Sequence, residues 1–241
     1  MDSKKDCRYT KQRREATRPD LRMVLLGRSG AGKSSAGNTI LGRKQFKSVL
    51  GSTAVTQECE ASHTERNQRC IEVIDTPDFF SQSLAASGAH IEKCMSMSAP
   101  GTHVFLLVLQ LGRFTEGERK IVEQIRLAFG PGVTRNMIVL FTYGDDLDGV
   151  TIGDFLRNAQ PELKALLDQC EERYHVFNNR DTSDDKQVTQ LLEKIDTMLE
   201  ENGGCCNILE MNRESEDEHT TCFSFLNRMK QRVLDLFNRG H

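Results

Sequence analysis

Gly27-Arg28-Ser29-Gly30-Ala31-Gly32-Lys33-Ser34 brings three glycines, a lysine and two hydroxyls together in eight residues. This matches G-x-x-x-x-G-K-[ST], with two further small residues inside the loop. The chemistry implied is capture of a polyphosphate. Glycines let successive backbone N–H groups converge on phosphate oxygens, because no side chain blocks the approach. A helix beginning at the loop turns its positive end toward the same point. Lys33 supplies a mobile point charge for the β- and γ-phosphates, and the Ser34 hydroxyl is a compact Mg²⁺ ligand. Arg28, Ser29, Gly30, Ala31, Gly32, Lys33, Ser34 and Ser35 are therefore the first candidate binding residues.

Two more motifs follow in chain order. Asp75-Thr76-Pro77-Asp78 comes directly after the apolar run ending at Ile74. A carboxylate at the end of a neighbouring strand holds Mg²⁺ through its water shell. Asp and Pro also favour turns, so the motif gains its meaning from its distance to the glycine loop. Thr142-Tyr143-Gly144-Asp145 follows Met137 to Phe141. It resembles [NT]-K-x-D, whose aspartate accepts hydrogen bonds from the N1–H and exocyclic amine of guanine. Adenine lacks that donor pair, so the aspartate selects the base. Thr142 and Asp145 fit, whereas Tyr143 stands where the lysine would be. Mg²⁺ coordination calls for one more hydroxyl between the first helix and the second strand, and Ser52, Thr53 and Thr56 are the candidates.

The elements that must position these residues are legible from periodicity. Met23 to Leu26 is a short apolar run ending in glycine, a buried strand. Cys70 to Ile74, His103 to Leu109, Met137 to Phe141 and Tyr174 to Phe177 read the same way. Glu58 to Thr64 alternates weakly and is expected at an edge. Continuous apolar runs imply a parallel sheet covered on both faces. Thr115 and Glu118 form a capping box, with Ile121, Val122, Ile125 and Phe129 behind them at helical spacing. Gly130-Pro131-Gly132 ends that helix. Pro161 to Cys170 and Ser183 to Glu201 are further helical segments. The order β-α-β-β-α-β-α-β-α predicts an α/β fold, a doubly wound and mainly parallel sheet with helices on both faces. No internal repeat is present.

Composition narrows the class. The chain has 241 residues, a formal net charge of −3 and 28% charged residues. That length suggests one α/β domain with short extensions, or at most two small domains. No global basic field points to nucleic acid, and Tyr and Trp are scarce for base stacking. The longest apolar run, Val104 to Leu109, falls far short of the ~20 residues of a membrane span. The first twenty residues lack the apolar core of a secretory signal. We read 1–20 as a disordered basic arm and the chain as cytoplasmic, with no transmembrane anchor. Eight cysteines fit neither a zinc pattern nor a disulfide framework, so reduced thiols are expected. Cys205-Cys206, after Gly203-Gly204, is a candidate for acylation or oxidation. In 204–241, Cys222, Leu226, Met229, Val233 and Leu236 define a C-terminal helical extension with one narrow apolar seam.

The resemblance to a known family is specific. Gly27 to Gly42, GRSGAGKSSAGNTILG, looks like the loop and first helix of the GIMAP family, the GTPases of immunity-associated proteins with an AIG-type G domain. Val55-Thr56-Gln57-Glu58-Cys59 resembles that family's first switch, which favours Thr56 as the coordinating hydroxyl. DTPDFF at 75–80 is similar to its third motif. HVFLLVLQLGRFTEGE at 103–118 matches the box that separates this family from septins and Ras-like proteins. FTYGDDL at 141–147 resembles its guanine motif, and YHVFNN at 174–179 its fifth, where Asn178 or Asn179 would approach the base. The resemblance covers about 20–205 and implies a P-loop G domain over 21–203. It implies GTP/GDP and Mg²⁺ as cofactors, with Ser34, Thr56 and Asp75 as metal ligands. It also implies assembly through the nucleotide face as a homodimer or homo-oligomer, or with related family members. Some family members are membrane-anchored at the C-terminus, a trait not carried over here.

Hydrolysis is expected to be slow. Ras-like enzymes orient water with a glutamine just after D-x-x-G. Here Phe79 stands at that place. Asp78 replaces the glycine whose N–H meets the γ-phosphate, and its carboxylate repels that group. By resemblance, Arg113 would act across a dimer as an arginine finger, with Thr56 completing the catalytic pair. The function expected is a slow GTPase stimulated by dimerisation and acting as an assembly switch. The alternative is a non-hydrolysing, GTP-gated scaffold. An ATP-using P-loop kinase is disfavoured by the Asp145 context and by the lack of an evident acceptor site or lid.

Overall fold

The computed structural model describes residues 21–48, 56–78, 97, 102–129, 131–181 and 184–203. The expected basic arm, the C-terminal extension, Cys205-Cys206 and two of the hydroxyl candidates, Ser52 and Thr53, lie outside these residues.

Six strands build one sheet: β1 (Leu21–Leu26), β2 (Glu60–Arg66), β3 (Arg69–Asp75), β4 (Val104–Gln110), β5 (Met137–Thr142) and β6 (Tyr174–Val176). Their order across the sheet is β2-β3-β1-β4-β5-β6. All neighbours run parallel except β2, which pairs antiparallel with β3 from Glu60 opposite Asp75 to Arg66 opposite Arg69. The weak alternation of β2 is explained by this edge position, where only Ser62 is buried. Asn67 and Gln68, both with positive φ, make the tight turn between β2 and β3.

Five helices are described: α1 (Lys33–Leu41), α2 (Glu116–Phe129), α3 (Ile152–Arg157), α4 (Pro161–Gln169) and α5 (Lys186–Glu201). Strand side chains alternate between two apolar layers. On one face Val24, Leu26, Phe105, Leu107 and Val139 pack with Ile121 and Ile125 of α2 and Leu163 and Leu166 of α4. On the other, Met23, Leu25, Leu106, Val108 and Leu140 pack with Ile40 of α1 and Leu191, Ile195 and Met198 of α5. The central strands are buried on both sides, which is why they read as continuous apolar runs.

Two features were not anticipated. The helix α2 ends at Phe129, and Pro131–Asn136 then forms a 3-10 turn. The short α3 is capped by Thr151, whose hydroxyl accepts from the Asp154 amide at 3.1 Å. Cysteine chemistry also departs from expectation. Cys59 and Cys170 are buried and outside any disulfide, with burial pushing the Cys170 thiol up to about 12, but half-buried Cys70 is disulfide-bonded. Among the described residues no helix is long and apolar enough to cross a membrane.

Candidate functional site

The parallel strands deliver their C-terminal ends to one edge, where open α/β sheets bind ligands. Gly27 follows β1, Asp75 ends β3, Arg113 lies beyond β4, Asp145 beyond β5 and Asn178 beyond β6.

The glycine loop has the shape its residues predict. A Cβ on Gly27 would lie 2.4 Å from the Val108 carbonyl oxygen, so only glycine lets the loop leave β1 against β4. Gly32 caps α1 in the left-handed region, at φ 93°. The Thr142 hydroxyl, fully buried, donates to the Ala31 carbonyl at 2.7 Å. Thr142 thus ties the end of β5 to the floor of the loop. The half-buried Ser35 holds the first turn of α1, its carbonyl accepting from Thr39 at 3.1 Å.

Lys33 is 6% exposed, and its Nζ donates to the Gly27 and Arg28 carbonyls at 2.9 Å each. Burial lowers its pKa, while Asp75 and Asp78 act in the opposite sense. Ser34 Oγ donates to Asp75 Oδ2 at 2.5 Å and lies 3.2 Å from Thr56 Oγ1. Thr56 Oγ1 is 3.4 Å from the same carboxylate oxygen. The other oxygen, Asp75 Oδ1, is buried without a hydrogen-bond partner. Burial raises the Asp75 pKa against the hydrogen bond from Ser34 and the charge of Lys33. Two hydroxyls and a carboxylate with a spare buried oxygen fit a small hard cation such as Mg²⁺. Among the described residues no group of three or more His, Cys, Asp or Glu side chains offers a different metal site.

Asp78 is 3% exposed, and its Oδ2 accepts from the Ser29 backbone N–H at 2.9 Å. Thr76 fixes this segment, donating to the Leu25 carbonyl at 2.6 Å.

Beyond β5, Tyr143 adopts a left-handed backbone at φ 60°. It turns the chain so that Gly144 donates to the Phe177 carbonyl at 2.9 Å. A Cβ on Gly144 would press on Val176 at 2.8 Å. Asp145 Oδ1 is buried and without a hydrogen-bond partner, while Oδ2 accepts from Arg180 Nη1 at 2.5 Å. The Asn178 side chain accepts from the Arg180 amide at 3.0 Å, and Gln187 Oε1 accepts from the Asn178 amide at 3.0 Å. Asn179 Oδ1 accepts from Thr39 at 2.9 Å, joining this loop to α1. Both asparagines therefore stand at the same end of the sheet as Asp145.

Arg113 is 53% exposed and shares a cleft with Arg28, Ser29, Gln110 and Glu118. Glu118 is the hub. Its Oε1 lies 3.6 Å from Arg28 Nη1 and 4.0 Å from Arg113 Nε. Its Oε2 accepts from the Thr115 amide at 2.9 Å and from the Thr115 hydroxyl. Burial works to raise its pKa, but Thr115 and Arg28 prevail and hold it below the usual carboxylate range. Gly117 has room for the Arg28 guanidinium only because it lacks a Cβ. Sequence reading found Glu118 as a cap and missed it as an arginine partner, because both arginines arrive through tertiary contacts. Arg180 and Gln187 were missed too, and no motif marks them.

Sheet order, glycine loop and converging oxygens together define a P-loop G-domain fold. The AIG1 family model matches residues 21–225, and the chain belongs to that family. It is 38% identical over 190 residues to GTPase IMAP family member 8 of Homo sapiens, covering 77% of this chain and 28% of that protein. It is 36% identical over 212 residues to immune-associated nucleotide-binding protein 9 of Arabidopsis thaliana, covering 84% of this chain and 62% of that protein. The chain thus spans less than two thirds of these relatives' own lengths. Among solved structures, Toc33 from Arabidopsis thaliana in complex with GDP and Mg²⁺ superimposes with a TM-score of 0.57 at 16% identity, covering 80% of this chain and 90% of that one. That likeness shows the fold.

Proposed function

We propose that this chain binds GTP and GDP with Mg²⁺ and hydrolyses GTP slowly, switching its assembly with the nucleotide. The observation that carries the reading is the meeting of Lys33, Ser34, Thr56 and Asp75 at the mouth of a glycine loop. The names of the relatives, a GTPase and a nucleotide-binding protein, agree with it.

Each group has a defined task. The loop amides and Lys33 hold the phosphate chain. Lys33 gives up two carbonyl contacts to do so, which a phosphate's full charge repays. Ser34, Thr56 and Asp75 would hold Mg²⁺, which neutralises phosphate charge when bound. Asp145 offers a buried oxygen without a hydrogen-bond partner to the guanine donors. The 21–203 unit acts as the G domain, with 204–241 as its extension. Arg113 sits beside the loop with its guanidinium half in solvent, so a second copy docking on this face would receive it. An arginine supplied in this way is worth ~10³–10⁵ in rate in other GTPases.

The position of Asp78 on a loop amide favours a second reading, a non-hydrolysing scaffold gated by nucleotide. Turnover by the wild-type chain across a range of concentrations separates the two. Specific activity that rises with concentration supports the dimer-stimulated GTPase, and no turnover at any concentration supports the scaffold. For the base, Asp145→Asn is expected to shift preference from GTP toward xanthosine triphosphate. An unchanged preference refutes the guanine assignment.

A further inference from the structure

We infer that Asp78 makes this site prefer a nucleoside diphosphate over a triphosphate, by holding a carboxylate where the terminal phosphate of the longer chain must go. The inference rests on reading the site as a guanine-nucleotide site and concerns how that site counts phosphates.

The geometry is built rather than incidental. Thr76 is pinned to the Leu25 carbonyl at 2.6 Å, Pro77 is buried, and Asp78 is carried inward to 3% exposure. Its Oδ2 takes the Ser29 backbone N–H at 2.9 Å, a donor of the loop that collects phosphate oxygens. A carboxylate oxygen and a phosphate oxygen compete for such a donor on equal terms, since both are charged acceptors. Lys33 lies close enough for attraction to both Asp75 and Asp78. Before any ligand arrives, one lysine already faces two carboxylates. Mg²⁺ answers the charge of Asp75, whose oxygens lie with the two hydroxyls. Asp78 Oδ2 is instead on the loop amide.

A triphosphate adds one more charged phosphoryl at this end of the chain. Two like charges about 4 Å apart repel strongly even when partly screened. Binding the longer nucleotide therefore requires the Asp78 segment to withdraw, whereas the shorter one leaves it in place. The substitution thus makes the segment after β3 a device that opposes the triphosphate state, and assembly that depends on that state inherits a higher threshold.

Competition of GDP and a non-hydrolysable GTP analogue against a fluorescent GDP, in magnesium buffer with the full chain, tests this. The wild type is expected to bind GDP more tightly than the analogue. Asp78→Asn keeps an acceptor for the Ser29 amide without the charge, and Asp78→Gly removes the side chain. Both should raise the analogue-to-GDP affinity ratio by at least about tenfold, while Asp78→Glu should keep the preference for GDP. Equal affinities in the wild type, or variants that weaken both nucleotides alike, would overturn the inference and assign Asp78 a structural role. Failure of the wild type to bind either nucleotide would instead overturn the proposed function.

Discussion

At the residue scale, the site depends on pairing small groups rather than on one dominant side chain. Ser34 and Thr56 both reach Asp75 Oδ2, at 2.5 Å and 3.4 Å, so each hydroxyl helps shape one oxygen cage. Removing a single oxygen should weaken the cation more than the nucleotide. We expect Ser34→Ala to raise the Mg²⁺ concentration needed for half-maximal GTP binding by roughly tenfold, about the worth of one charge-assisted contact. A magnesium titration checks it, and a midpoint equal to wild type would remove Ser34 from the cation site. The loop, Asp75 and Asp145 were legible because each motif joins unusual residue types at fixed spacing. Glu118 and Arg180 were not. Their meaning comes from Arg28, Arg113 and Asp145, brought near by the fold and invisible to local spacing.

At the element scale, β6 and α5 hold the base-side loop, and a buried histidine joins them. His175 Nε2 lies 2.7 Å from the Gln187 carbonyl, and burial together with the charge of Lys194 lowers its pKa from 6.5 to about 4. The folded chain therefore binds fewer protons at this residue than the unfolded chain does between those values. Its neutral form contributes full stability above pH 6.5, lost progressively as pH falls toward about 4. The slope is at most ~1.4 kcal/mol per pH unit. Urea unfolding from pH 7 to 4.5 should show this decline, and His175→Gln should flatten it. An equal decline in that variant would exclude His175 as its source. The start of α2 makes a different prediction. Alanine at Gly117 favours the helix by up to ~1 kcal/mol, but its methyl would expel the half-buried Arg28 guanidinium, the far end of a flexible side chain, from Glu118. Gly117→Ala should therefore melt no lower than wild type yet show a weaker rise of turnover with concentration. A lower melting temperature would mean that the backbone, not Arg28, had to move. The parallel strands were legible as continuous apolar runs, and the antiparallel edge strand β2 only by its weak alternation. The 3-10 turn after α2 and the short α3 were missed because neither carries an apolar period long enough to register. Thr151 and Asp154 were the available sign of α3.

At the scale of the whole molecule, one sheet edge gathers the glycine loop, the Ser34–Thr56–Asp75 oxygens, the Asp145 carboxylate and the exposed Arg113. In the proposed reading the first three would complete a nucleotide site within one chain. Arg113 lies beside Glu118 with about half of its side chain in solvent, open to a second copy. If a second copy uses it, Arg113→Ala should abolish the rise of specific activity with protein concentration. Steady-state turnover measured across that range decides, and an undiminished rise would place the stimulating group elsewhere. The doubly wound architecture followed from the order of strands and helices. The partner of the nucleotide face did not, because self-association depends on a surface rather than on a period in the sequence.

The expectations for cation, base and turnover require the glycine loop and the Lys33 ammonium to grip the phosphates of a guanine nucleotide. Calorimetric titration of GDP in magnesium buffer into the wild-type chain and Lys33→Ala tests this most directly. The account predicts saturable binding by the wild type, with affinity reduced at least about a hundredfold in the variant, the scale of losing a buried charge-assisted contact. Indistinguishable titrations, whether both bind or both fail, would contradict it.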